Sequence, residues 1–300
     1  MKSFSELTKE ELVREENPNS CCDSAEFLGL LLFGCTISAT EIKFTCENRN
    51  VFERFNFLAH KHKIKRNIMI SQDAARYTSN VSDKDCINTI LKKFYLVDEN
   101  GLIRYRITNE FKDCCKNALI RGAFLGGGTI INPSKNYNLE IVTAYMGLKD
   151  SFLEVLSQIG FSFKVAVRKS KYVIYSKQSD IITDFLNFVG AVNAQMELIN
   201  IKIEKEIKNN FNRTANGETA NIEKTIGAAV EQIKAIDIID KQIGIDGLPD
   251  ELRDLAILRL NNRSLSLLEL GKLLNPPLGK SGVNHRFKKI IAISKRLAEE

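Results

Sequence analysis

The sequence predicts an α+β protein in two parts: a duplicated α+β unit with pseudo-twofold symmetry, then an all-α region. Three observations predict it. An apolar, glycine-bearing segment occurs twice, a strand-like run follows each copy, and the last part of the chain alternates helix signals with breakers and shows no strand period. A length of 300 residues agrees with two domains, since single cores of that size usually divide.

The repeat aligns FLGLLLFGCTI (Phe27 to Ile37) with IRGAFLGGGTI (Ile120 to Ile130). Gly29 then matches Gly122, Leu32 matches Leu125, Gly34 matches Gly127, and Thr36-Ile37 matches Thr129-Ile130. The strand-like runs are EIKFT (Glu41 to Thr45) and LEIVT (Leu139 to Thr143), which pair Glu41 with Glu140 across the copies. Amphipathic helices follow: VFERFNFLAHK in the first copy, and LKDSFLEVLSQIG in the second, where Gly160 is a C-cap candidate. DCINTIL (Asp85 to Leu91) later resembles DIITDFL (Asp180 to Leu186). The order helix, strand, helix, strand, helix is thus read twice, over about 20–105 and about 115–200, within a domain at 1–208.

NNFNRTANGETAN, at 209–221, is polar and holds a glycine, which is linker chemistry. The second domain, 222–300, opens with a helix from Ile222 to Asp240. A turn from Gly244 to Pro249 leads to a helix reaching Leu260, with Pro249 suited to a first helical position.

Ser266 and Glu269 have capping-box spacing, and Leu265 can staple onto Leu270 across it. That helix should stop at Asn275, because Pro276-Pro277 removes backbone donors and forces the preceding residue to be extended. After a turn through Leu278 and Gly279, a new helix starts at Lys280-Ser281, with Ser281 as N-cap. Gly271 in the first helix would let the second pack closely.

At 3.6 residues per turn, Val283, Phe287, Ile290, Ser294 and Leu297 share one face of this helix, with Ile291 at its margin. Ser281, His285, Lys288 and Ala292 share the other; Asn284, Lys289, Lys295 and Arg296 flank it, and Arg286 lies near the buried edge. From Gly271 to Ala298 the chain carries Lys272, Lys280, Arg286, Lys288, Lys289, Lys295 and Arg296 without any Asp or Glu. A pair of short helices with such a second member has the form of a helix-turn-helix whose recognition helix lies in the major groove of double-stranded DNA. Lys280, Ser281, Asn284, His285, Arg286, Lys288 and Lys289 are the DNA-binding candidates: Ser, Asn, His and Lys for base edges, Arg and Lys at the margins for phosphates. The plain alternative is a structural hairpin with a solvated basic face.

Composition excludes several classes. No apolar stretch is long enough to span a bilayer, and the start MKSFSELTKEELVREENP lacks an apolar centre, so the expected location is the cytoplasm, at the nucleoid, without membrane contact. The net charge of +6 allows nucleic acid without requiring it. The seven cysteines include two adjacent pairs, Cys21-Cys22 and Cys114-Cys115, and show no CxxC spacing; reduced thiols in a core are expected, and no metal or cofactor. GAFLGGGT lacks the lysine of a nucleotide-binding loop.

LRLNNRSLSLLELGKLLNPPLGKSGVNHRFKKI (Leu258 to Ile290) and NRTANGETANIEKT (Asn212 to Thr225) resemble the WhiA family. The likeness extends to SFSELTKEEL, to Cys21-Cys22 with Ala25-Glu26, and to RGAFLGGGTIINP. It implies a LAGLIDADG-like, homing-endonuclease-like N-terminal domain ahead of the helix-turn-helix. It also implies a DNA-binding regulator of transcription concerned with cell division, chromosome segregation and, in filamentous bacteria, sporulation.

In the active nucleases each LAGLIDADG helix ends in an acid that holds a divalent metal at the scissile phosphate. Gly34 and Gly127 stand at those positions, so no catalytic residue and no enzyme activity is expected. Glu41 and Glu140 are read either as substitute ligands or as solvated strand residues. HKHKIKR (His60 to Arg66) and KVAVRKSKY (Lys164 to Tyr172) are read either as a phosphate-binding face or as loops and edge strands protected by lysine. Three functions compete: a sequence-specific DNA-binding regulator, a metal-dependent endonuclease, and a scaffold whose N-terminal domain recruits another regulator or RNA polymerase.

Overall fold

A computed structural model describes residues 2–71, 76–108 and 111–299 of the chain. They form two compact units, Met1–Lys205 and Glu206–Glu300. The first opens with α1 (Phe4–Leu12), started by a capping box between Ser3 and Glu6.

Two copies of one motif follow. The first holds α2 (Ser20–Gly34), β1 (Cys35–Ile37), β2 (Ile42–Cys46), α3 (Arg49–Lys61), β3 (Asn67–Ser71), β4 (Arg76–Val81) and α4 (Lys84–Lys93). The second holds α5 (Asp113–Gly127), β5 (Gly128–Ile130), β6 (Leu139–Thr143), α6 (Met146–Gln158), β7 (Lys164–Arg168), β8 (Lys171–Ser176) and α7 (Ser179–Val189). Their antiparallel sheets have equivalent orders, β1-β2-β4-β3 and β5-β6-β8-β7.

Each copy therefore carries two strands after its first helix and two after its second, where the sequence reading had one of each. β1 and β5 are only three residues long and continue directly from α2 and α5, too short to show a period. β7 and β8 turn through Lys169 and Ser170 at φ of 48° and 60°, a left-handed two-residue hairpin without the usual glycine or asparagine signal.

Register corrects a second expectation. Thr36 pairs with Lys43 in the first sheet, and its counterpart Thr129 pairs with Glu140 in the second. Lys43, not Glu41, is thus the structural equivalent of Glu140, and Glu41 lies before β2. The loop entering β6 is longer than the one entering β2, which shifts the linear match.

The core of this unit is the crossing of α2 and α5, where backbones meet. A Cβ on Gly29 would lie 2.3 Å from the Leu119 carbonyl oxygen, and one on Gly122 would lie 2.1 Å from that of Glu26. Only glycine permits that approach. Beside the crossing, fully buried Glu26 takes two hydrogen bonds of 2.7 Å from Arg54, one of 2.6 Å from Asn17, and the charge of Arg121 at 3.6 Å.

α8 (Val192–Ile243) includes residues 209–221, so the stretch read as linker is helical. It contains a single glycine, Gly217, and no proline, and Ala215, Glu218 and Ala220 favour helix. Among 209–221 every residue but Ala215 is exposed. A 3-10 turn (Ile245–Gly247) precedes α9 (Asp250–Asn261), α10 (Leu267–Leu273) and α11 (Lys280–Glu299). Their apolar faces bury Ile236, Ile239, Leu252, Leu255, Leu270, Val283, Phe287 and Ile290 in the core of the second unit.

Candidate nucleic-acid interface

The pair α10–α11 is built as a bihelical motif from local signals upward. Ser266 caps α10, its hydroxyl accepting the Glu269 N–H at 3.3 Å while Glu269 Oε2 accepts the Ser266 N–H at 2.8 Å. Hydrogen bonds from the Ser266 hydroxyl and from its backbone N–H to the Glu269 carboxylate hold that carboxyl below its ordinary pKa. The helix ends at Leu273, two residues before the expected stop at Asn275. Leu278 then donates its N–H to the Gly271 carbonyl at 2.9 Å. A Cβ at Gly271 would lie 2.1 Å from the Leu278 carbonyl oxygen and 3.0 Å from Val283, so this glycine admits both the turn and the second helix.

α11 starts at Lys280, two residues earlier than a cap at Ser281 would allow. The Val283 N–H bonds the Gly279 carbonyl at 3.1 Å, which puts Gly279 at the cap and Ser281 inside the first turn. Val283, Phe287, Ile290 and Ser294 are buried, with Ile291 and Leu297 packed at the margin. Lys280, Ser281, Asn284, His285, Lys288 and Lys289 are all exposed. Ser281, His285, Lys288, Ala292 and Lys295 continue as one exposed stripe at helical spacing.

Arg286 departs from the set. It is half-buried, with Nη1 3.2 Å from the Glu251 carbonyl and Nη2 3.4 Å from the Glu251 carboxylate, so its charge is tied to the start of α9. Arg259 was not singled out in the sequence, where it reads as one more helical cation. It is 2% exposed, donates Nη1 to the Leu265 carbonyl at 2.6 Å, and lies over the Phe287 ring. This cation holds the α9–α10 connection against α11; burial depresses its pKa.

In the first unit Gly34 and Gly127 are the last residues of α2 and α5. A Cβ at Gly34 would lie 2.6 Å from the Phe44 ring, and one at Gly127 would lie 3.0 Å from the Val142 carbonyl oxygen. Neither helix end presents a carboxylate. The Lys9 ammonium lies 3.3 Å from the Leu125 carbonyl near the end of α5, and burial lowers its pKa to about 8, so it remains mostly cationic at neutral pH. Glu140 is held by Asn138 at 2.9 Å and by Arg168 at 3.2 Å.

The two basic runs differ. In the first, Lys61 bonds Asp23 at 2.9 Å, His62 meets Lys93 at 2.9 Å, and Arg66 bonds Asn56 at 2.6 Å, which leaves His60, Lys63 and Lys65 exposed. In the second, Lys164, Arg168, Lys169 and Lys171 are exposed on the edge hairpin.

A duplicated sheet-and-helix unit with glycines at its helix ends, in a chain that finishes in a capped bihelical motif with a basic second helix, defines a LAGLIDADG-like protein carrying a helix-turn-helix. Family models agree segment by segment: the WhiA LAGLIDADG-like domain matches residues 116–208 and the WhiA C-terminal HTH domain matches residues 211–294. The "Probable cell division protein WhiA" of Alkaliphilus metalliredigens is 40% identical, with 98% of each chain covered, and that of Ruminiclostridium cellulolyticum is 39% identical with 98% of each covered. The crystal structure of full-length WhiA from Thermotoga maritima superposes with a TM-score of 0.62 at 26% identity, covering 98% of this chain and 99% of that one. The chain belongs to the WhiA family. No helix among the described residues is long and apolar enough to cross a membrane.

Proposed function

We propose that this chain is a sequence-specific double-stranded DNA-binding protein that regulates transcription and acts in cell division, the process for which its relatives are named. The observation that carries this reading is α11, whose one face is buried in the core while the other is an exposed, acid-free row of hydrogen-bonding and cationic side chains. Ser281, Asn284, His285 and Lys288 read base edges, and Lys280 and Lys289 bind phosphate. Arg286, tied to Glu251, supports α11 from behind and contacts DNA only if that pair opens.

Chromosome segregation and sporulation belong to the same regulatory reading, with the nucleoid in the cytoplasm as the place of action. The first unit is not a nuclease in this reading, because Gly34 and Gly127 offer no metal ligand. Its role is to receive another regulator or RNA polymerase. We further assign the LAGLIDADG-like domain to 1–208 and the DNA-reading domain to 222–300, joined through 209–221.

Selection from a random duplex pool tests both assignments. The full chain and residues 222–300 alone should enrich the same motif. Enrichment of no motif by either, or of one only by residues 1–208, would overturn the reading.

A further inference from the structure

Both adjacent cysteine pairs lie in the first turns of the two crossing helices, Cys21-Cys22 in α2 and Cys114-Cys115 in α5. Reading along the chain, neither pair resembles a metal motif. The pseudo-twofold axis brings them together: the four Sγ atoms lie within 4.8 Å of one another. Cys22 Sγ is 3.9 Å from Cys115 Sγ, and Cys114 Sγ is 3.7 Å from Cys115 Sγ. Four sulfurs about 2.3 Å from a central ion at tetrahedral angles stand about 3.8 Å apart, so these separations match the edge of a mononuclear tetrahedral thiolate site. A multi-iron cluster would need sulfurs spread wider than this.

The surroundings suit the negative charge of such a site. The N-terminal ends of α2 and α5, the positive ends of their dipoles, converge on the sulfurs. Neither helix has a side-chain N-cap bond, since Asn19 and Lys112 make none. Lys112 adds a cation beside Cys21. Cys22 and Cys115 are buried while Cys21 and Cys114 reach solvent, which gives the ion an inner wall and an entry side.

We propose that Cys21, Cys22, Cys114 and Cys115 bind one zinc ion, which staples the two repeats together at the N-terminal ends of α2 and α5. The ion completes its coordination with protein sulfur alone, so the site is structural; four thiolates exclude the hard cations that a phosphodiester-cleaving centre uses. It stands at the opposite ends of these helices from Gly34 and Gly127. Binding releases the thiol protons and adds its free energy to folding.

The test uses the full-length chain purified with reductant and zinc. Elemental analysis should find one zinc per chain, and exchange for cobalt(II) should give the thiolate charge-transfer and visible bands of a tetrahedral site. Cys22→Ser with Cys115→Ser should lower zinc affinity by at least about tenfold, whereas Cys86→Ser should leave it unchanged. Removing zinc with a chelator should lower the thermal midpoint of the parent. If the double variant does not fold, thiol labelling of the folded parent decides: zinc should protect four cysteines. No protection, an octahedral cobalt spectrum, or a Cys22–Cys115 disulfide found by mass spectrometry under native handling would overturn the proposal.

Discussion

At the scale of single residues, position around α11 separates side chains that are equally exposed. His285 and Lys288 sit mid-stripe on α11, and Lys289 lies at its flank. His285→Ala or Lys288→Ala should weaken binding to the selected site by about 1–3 kcal/mol and relax the preference at particular base pairs. Lys289→Ala should instead weaken selected and scrambled duplexes alike and reduce the slope of log affinity against log salt by about one. Isotherms at several salt concentrations distinguish the two outcomes, and parental affinity in all three folded variants would remove α11 as the reader. Glu26 presents a different kind of residue effect. Replacing it with Leu leaves Arg54 and Arg121 buried without their carboxylate, and should cost about 3–5 kcal/mol in denaturant unfolding. A Leu variant as stable as the parent would mean that water or backbone already satisfies both guanidinium groups.

At the scale of elements, the glycines of α2 and α5 set how closely two helices approach. Gly122→Ala would put a methyl group 2.1 Å from the Glu26 carbonyl oxygen, so the helices must separate. The expected cost is about 1–3 kcal/mol or more, seen as a lowered midpoint of the first unit. Gly217→Ala in α8 is the contrasting case. Nothing lies within 4 Å of its Cβ, and the helix interior should gain about 0.5–1 kcal/mol. Equal effects at the two positions would show that the crossing is looser than these distances.

At the scale of the whole molecule, the duplicated unit ends α2 and α5 in Gly34 and Gly127, and the proposed reading without nuclease activity rests on those two positions. Supercoiled DNA carrying the selected motif should remain intact with the full chain in Mg²⁺ or Mn²⁺. Protein-dependent nicking that Glu140→Gln or Glu41→Gln abolishes would contradict this and make a rearranged metal site the better reading. The register already weakens a symmetric acid pair, because Lys43 stands where Glu140's counterpart would be.

Several features were legible in the sequence because they arise from neighbours along the chain. The capping box at Ser266, the apolar period of α11, the matched glycines and the duplicated helices depend on spacing of a few residues, or on two segments being alike. The features that were not legible depend on segments far apart. β1 and β5 exist because partner strands complete them, Arg286 is tied down by Glu251 from another helix, and Arg259 becomes a core residue only when α11 lies over it. By itself the sequence determined which parts are duplicated, which helix is basic and which helix ends lack acids. Tertiary structure alone decided which side chains meet: Cys22 and Cys115, 93 residues apart, touch because two glycine-bearing helices cross closely, and no spacing rule along one chain encodes the geometry of a crossing.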